Sequence, residues 1–238
     1  MKKILFWLCL GCQFQAYAQE DDVKKVYGFY FSIPSKVLLI DELNNQLRAS
    51  NQLPLSPAIL GASLGYTLRS SNKNTYSSVR LSYLLGGDDD YEEELKATRF
   101  GLWQLSFDAH YDVIKNPDWL FYPYFNVGTN WATLNVSQIN ADFTFQQSLG
   151  NLSYAEVNEK KYRASFLLFA ELGVGVERKI GISGQDCFVG LSGGYSFSQS
   201  EAWTFASIQQ YADAPAFNIN GLSFEVKFRF ELQKNINS

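Results

Sequence analysis

The sequence holds a single histidine, His110, set between Asp108 and Asp112 in "SFDAHYD". A histidine with a serine and a supporting acid can activate a hydroxyl for acyl transfer, so a lipid-modifying activity is the first chemistry to weigh. Ser106 shares the face of His110, but it stands about 13 Å away along an extended strand, and no serine lies two residues off. A polar side chain bonded to a nearby Asp or Tyr is the reading preferred for His110. A metal centre is disfavoured, because one histidine and no cysteine pair beyond the leader leave carboxylates alone as ligands. No catalytic, cofactor-binding or metal-binding residue is therefore assigned. No cofactor is expected.

Two charge patterns remain. Arg80, Arg163, Lys227 and Arg229 alternate with apolar neighbours, as do Asp108, Asp112, Glu171, Glu177, Glu225 and Glu231. On one face of a closed sheet these groups would have to pair, since an unpaired buried charge is costly. A charge-paired plug is preferred to a narrow gated ion path. The second pattern is "GGDDDYEEEL", Gly86 to Leu95, with Asp88, Asp89, Asp90, Glu92, Glu93 and Glu94. It lacks the ligand spacing of a calcium loop, so a solvated loop is preferred to a cation or basic-partner site.

The elements that must position these groups are strands. In "LSFEVKFRFELQ", Leu222 to Gln233, apolar and polar residues alternate strictly, the period of a two-faced strand. Seven more segments show it: Val26–Ile33, Ala58–Arg69, Thr75–Leu85, Arg99–Val113, Trp119–Val136, Lys161–Arg178 and Asp186–Ser198. In the sixth, Ala164, Phe166, Leu168, Ala170, Leu172 and Val174 are expected on the apolar face, with Arg163, Ser165, Glu171, Gly173 and Gly175 opposite. Short, turn-like connections follow strands two, four and six; longer segments follow one, three, five and seven. Eight strands with this asymmetry fit an outer-membrane barrel, both termini periplasmic. Phe121 and Trp131, ten residues apart on the apolar face, span about 23 Å of height at a 45° tilt, close to the 25 Å apolar band of such barrels. Ser35 to Ala49 places Val37, Ile40, Leu43 and Leu47 near one helical face and predicts a short helix in the first loop.

"MKKILFWLCLGCQFQAYA" reads as a signal peptide over residues 1–18, with cleavage after Ala18, and residues 19–238 form the barrel domain. A lipoprotein signal ending at Cys12 is the weaker alternative. Removing Lys2 and Lys3 from 20 basic residues leaves 18 against 24 acidic, a net of −6, which argues against a nucleic-acid partner. No mature segment is apolar for 18 residues, so a helical span is not expected. A soluble lipocalin-like barrel, apolar inside, is the main structural alternative. It would move the small Gly and Ser residues to the surface, whereas they suit a tight lumen beside long Arg and Glu side chains.

The Ala16-Tyr17-Ala18 leader, the alternating strands, "DELNNQLRASNQLPLSP" and the terminal "FEVKFRFELQ" together resemble the small eight-stranded outer-membrane barrels of the OmpA and OmpX type. They look closest to the PorT-like barrels of Bacteroidota. The chain departs from them in the polar residues Lys234 to Ser238 that follow the last strand. The resemblance implies a closed, all-β, antiparallel up-and-down transmembrane barrel in the outer membrane. It acts without catalysis, through its extracellular loops or as a structural or assembly component of the envelope, with a secretion role implied by resemblance alone. Outer-membrane lipids and lipopolysaccharide, the barrel-assembly machinery and a protein partner at the loops are the expected contacts of a monomer. A lipid-modifying enzyme using His110 and a narrow solute channel are the alternatives.

Overall fold

In the computed structural model the described residues are 25–70, 74–90, 96–114, 116–139, 157–182, 185–199, 204–205, 209–210 and 218–232. The leader over residues 1–18, the acidic stretch 91–95 and the tail 234–238 lie outside them. The strands are β1 (Lys25–Leu38), β2 (Ala58–Ser70), β3 (Thr75–Asp90), β4 (Lys96–Tyr111), β5 (Trp119–Ile139), β6 (Val157–Ile182), β7 (Gln185–Ser198) and β10 (Gly221–Leu232). The two-residue β8 (Thr204–Phe205) and β9 (Gln209–Gln210) hang from β6.

The eight long strands close on themselves. Each pairs antiparallel with its neighbour in the chain, β7 pairs with β10, and β1 pairs with β10 from Tyr27↔Leu232 to Leu38↔Gly221. The seam between β1 and β10 removes the sheet edge and satisfies the ladder all round. Lys25 and Leu232 lie at the end of the connections 71–74, 112–118 and 183–184; the connections 39–57, 91–95, 140–156 and 199–220, all but 91–95 longer, lie at the other.

Every strand extends past at least one of its sequence-drawn limits, although β4 stops at Tyr111, short of Val113, and β10 is described to Leu232. β1 continues through Pro34 to Leu38 because the missing N–H falls on the β2 side. There the ladder skips Ile33 and Pro34, while the β10 ladder runs on unbroken. The predicted helix therefore begins late, as α1 (Asp41–Ala49). Leu43 and Leu47 are buried as expected, with Ile40 just before the helix, but Val37 belongs to β1 and points out. Acids in the first turn and Arg48 in the last complement the helix dipole. Asn51, at φ 55°, turns the chain after α1. Asn44 then ties the returning chain down: its Nδ2 donates to the Leu55 carbonyl (2.9 Å) and the Leu55 N–H donates to its Oδ1 (2.8 Å).

β3 and β4 extend to pair Asp88–Asp90 with Lys96–Thr98, so half of the acidic run is strand and the long connection expected there shrinks to residues 91–95. On β6 the register slips: Asn130 pairs with Leu167 and Trp131 with Ser165, leaving Phe166 as an extra residue. The bulge reverses the inward parity above it. Ala164 is 1 % exposed inside the barrel and Arg163 is exposed outside, the opposite of the sequence expectation.

Candidate functional site

An eight-stranded barrel leaves an interior just wide enough for side chains to fill it. Here inward aromatics fit because glycines face them. Tyr30 lies opposite Gly65, Tyr122 opposite Gly175, and Tyr124 opposite Gly173. A Cβ on any of the three glycines would collide with the ring across from it.

The interior towards the short-turn end is an ion-pair network. Arg80 donates to Glu225 (3.0 Å) and to Ser106 (3.2 Å), and sits 3.8 Å from Asp108, which also accepts from Ser78 (2.9 Å). Ser32 bridges Ser63 and Glu225. Lys227 stands 4.0 Å from both Glu177 and Glu225, over the Tyr30 ring. Arg229 donates to Glu177 (2.8 Å) and to Glu231, over Phe188, while Tyr122 donates to Glu177 (2.7 Å). Nearer mid-height, Lys36 donates to Glu171 (3.2 Å) and Ser196 (2.9 Å), and Tyr124 donates to Glu171 (2.8 Å). Arg69 reaches Glu231 at 4.0 Å at the rim. Cations Lys36, Arg69, Arg80, Lys227 and Arg229 face Asp108, Glu171, Glu177, Glu225 and Glu231. Matched signs give no excess charge to select an ion.

His110 lies in this zone, its ring stacked on Tyr122 at 4.8 Å and 8°. It helps line a recess of about 260 Å³, measured out to open solvent, with Tyr76, Tyr122, Glu177, Lys227 and Arg229 among its walls. Ser106 is committed to Arg80. Among the described residues no serine or carboxylate is hydrogen-bonded to the histidine. Asp112 turns away from it and caps the connection to β5, accepting from the N–H groups of Ile114 and Phe121. Among the described residues no three His, Cys, Asp or Glu side chains are grouped to hold a metal.

Sequence reasoning missed what lies towards the long-connection end. There the interior is mainly apolar, with Lys96 and Thr98 buried beyond Phe100 on β4. Leu38, Ile59, Leu84, Phe100, Leu102, Ala132, Leu134, Val136, Leu167 and Phe169 form one buried cluster with Ile40, Leu43, Leu47 and Leu55 of the α1 segment and with Ile219. The helix seals the mouth with its apolar stripe and leaves its polar face out.

The outer surface changes with the interior. Beside the ion pairs it is apolar: Phe29 is 54 % exposed, Leu64 67 % and Leu191 60 %, whereas Lys36, Glu171 and Arg229 inside are each 3 % exposed. On β4 and β5 the belt ends at Trp103 and Trp131, in register with Tyr83 of β3, whose ring lies 4.5 Å from that of Trp103; β3 carries it one exposed residue further, to Leu85. Above that row β4 turns Arg99 outward, β5 turns Thr133, Asn135 and Ser137 outward, and β6 turns Lys161 and Arg163 outward. The signal was present in the sequence. Apolar positions shift from odd to even between Trp103 and Leu102 on β4, and between Trp131 and Ala132 on β5.

No known family model and no curated protein sequence matches the chain. Among solved structures it is similar to the N-terminal β-barrel domain of Pseudomonas aeruginosa OprF (13 % identity, 89 % of this chain and 100 % of that one, TM-score 0.37). It is also similar to Ail, the attachment invasion locus protein of Yersinia pestis (10 %, 88 % and 99 %, TM-score 0.45), and to Neisserial surface protein A (11 %, 88 % and 97 %, TM-score 0.39).

Proposed function

We propose that this chain is an outer-membrane β-barrel of the cell envelope, closed to solutes and without catalysis, that works as a scaffold for its long connections. The reading rests on one observation: polarity inverts across the Tyr83–Trp103–Trp131 row. Below the row the barrel is charged inside and apolar outside; above it, on β4 and β5, Phe100, Leu102, Ala132, Leu134 and Val136 face inward, with Lys96 and Thr98 buried beyond them, and Arg99, Thr133, Asn135 and Ser137 face outward. A sheet in water keeps its apolar face covered throughout, so the lower section is built for a hydrocarbon solvent and the upper for water. The aromatics mark the boundary, as rings with one polar edge do at an interface.

In this orientation the short turns and both termini face the periplasm, and α1 and the long connections face outward. Residues 1–18 serve as the cleaved leader. The ion network and the apolar cluster close the lumen at two levels, which disfavours the channel alternative. The secretion role suggested by the PorT-like resemblance depends on partners at the long connections, and capture from native outer membranes would name them.

Folded protein in lipid vesicles should migrate differently in cold SDS and after boiling. Recovery as a detergent-free soluble protein would overturn the reading. For topology, Asp89→Cys in a Cys187→Ser background should react with an impermeant maleimide on intact cells; labelling only after permeabilisation would reverse the orientation. Planar bilayers should show no discrete conductance, and His110→Ala should leave envelope lipid acylation unchanged.

A further inference from the structure

We infer that the recess lined by Tyr76, His110 and Lys227, at the short-connection end of the interior, binds a small monovalent anion of about the size of chloride. The site is the same whichever solvent lies outside the barrel. Register builds it. Tyr76 and His110 stand opposite each other on β3 and β4, both buried, and β5 brings Tyr122 flat against the His110 ring. Lys227 reaches the same recess from β10.

These three side chains are 4 %, 8 % and 5 % exposed, and none has its hydrogen bonds met. Among the described residues the Tyr76 hydroxyl has no partner. Lys227 Nζ stands 4.0 Å from Glu177 and from Glu225, beyond hydrogen-bond reach. The His110 ring is held by stacking and not by a hydrogen bond. Folded proteins seldom leave such groups unmet, because each has given up its bonds to water.

Charge and hydrogen bonding part company here. In sign, Arg69, Lys227 and Arg229 balance Asp112, Glu177 and Glu231. The carboxylates are already engaged, however. Glu177 accepts from Tyr122 and Arg229, Glu231 from Arg229, and Asp112 from the N–H groups of Ile114 and Phe121. What remains unspent is donors: the Tyr76 O–H, the ammonium of Lys227 and the one N–H of a neutral imidazole. Arg69 Nε is a further buried donor without a partner. The guanidinium groups of Arg69 and Arg229 lie 4.8 Å and 5.4 Å from the centre of the Tyr76 ring and favour negative charge beside it. A species that only accepts completes this set, whereas a water would add two donors of its own. The enclosed part of the recess is about 10 Å³, close to the space one water needs, about 10–15 Å³. A single-atom anion suits that space, with the flexible Lys227 stem taking up the difference; a phosphate or sulfate does not.

The test uses the full chain folded in zwitterionic detergent and titrated with sodium chloride, ionic strength being held constant with gluconate. Bound chloride is read from the broadening of its NMR line. Wild type should broaden the line saturably in the millimolar range, with bromide competing. Tyr76→Phe keeps the ring and should weaken binding by about tenfold, the loss of one hydrogen bond to a charged group. Tyr124→Phe removes a hydroxyl that is bonded to Glu171 outside the recess and should leave binding unchanged. His110→Phe keeps the stack on Tyr122 and should weaken binding by about threefold; it carries the test if Tyr76→Phe does not fold. Broadening that does not saturate, that is equal in wild type and the recess variants, or that falls as far in Tyr124→Phe would each overturn the inference and leave water as the occupant.

Discussion

Below the aromatic row β4 turns Phe107 outward and Asp108 inward; above it the same strand turns Arg99 outward and Phe100 inward. Both sections of the interior are filled by side chains, yet by different means. The lower depends on particular partners at particular distances, Arg229 with Glu177 at 2.8 Å and Arg80 with Glu225 at 3.0 Å. The upper depends on apolar volume supplied by strands and by α1. On the membrane reading proposed above, what differs between the sections is the solvent outside. Where lipid absorbs the apolar residues, polar groups must turn inward and satisfy one another. Where water lies outside, the ordinary arrangement returns without any change of backbone topology.

The comparison can be broken most forcefully from the lower section. Arg229→Leu strands Glu177 and Glu231 and should cost about 3–5 kcal/mol, measured by urea unfolding in vesicles. Adding Glu177→Gln should recover part of the loss. No recovery would mean that shape, rather than pairing, closes this section. Next comes the belt. Phe228→Arg places a charge in lipid and should cost about 2–4 kcal/mol in the same assay. An undiminished stability would remove the lipid from the argument.

The upper section should respond to volume. Leu134→Ala or Leu47→Ala should each cost about 2–3 kcal/mol as cavities. Leu47→Ala should also speed proteolysis of the α1 segment in intact vesicles. The smallest effect sharpens the boundary. Thr133→Arg, one row above Trp131, should change stability by no more than about 0.5 kcal/mol, in contrast to the same residue introduced at Phe228.

The lower section was legible in the sequence because strict alternation assigns every side chain to a face. Its charged residues could be named, but not matched. Arg80 finds Glu225 only through the seam that joins β1 to β10, and no local pattern encodes that closure. The upper section was cut off because the strands were drawn to end where alternation falters, at Arg99 and Val136. That faltering was a change of phase between Leu102 and Trp103, not an end. The bulge at Phe166 left no trace, because an extra apolar residue among "SFLLFA" preserves the hydrophobic count while reversing parity. The stacking of His110 on Tyr122 was not legible, because it depends on Gly175 lying opposite that ring.

The seam itself bears on how the barrel is made. Ser32 and Glu225, which meet across it, are 193 residues apart in the chain. Contacts of that separation form late, after most of the loop-closure entropy has been spent. Until β10 docks, Arg80 has Ser106 and Asp108 but not Glu225, and Lys36 is parted from Glu171 and Ser196; on the membrane reading both would be exposed to lipid if earlier strands inserted alone. Stepwise insertion strand by strand is therefore disfavoured, and the last strand acts as the latch that makes assembly all-or-none. A chain ending at Asn220 should accumulate outside the bilayer and be degraded there, however well its first seven long strands are made.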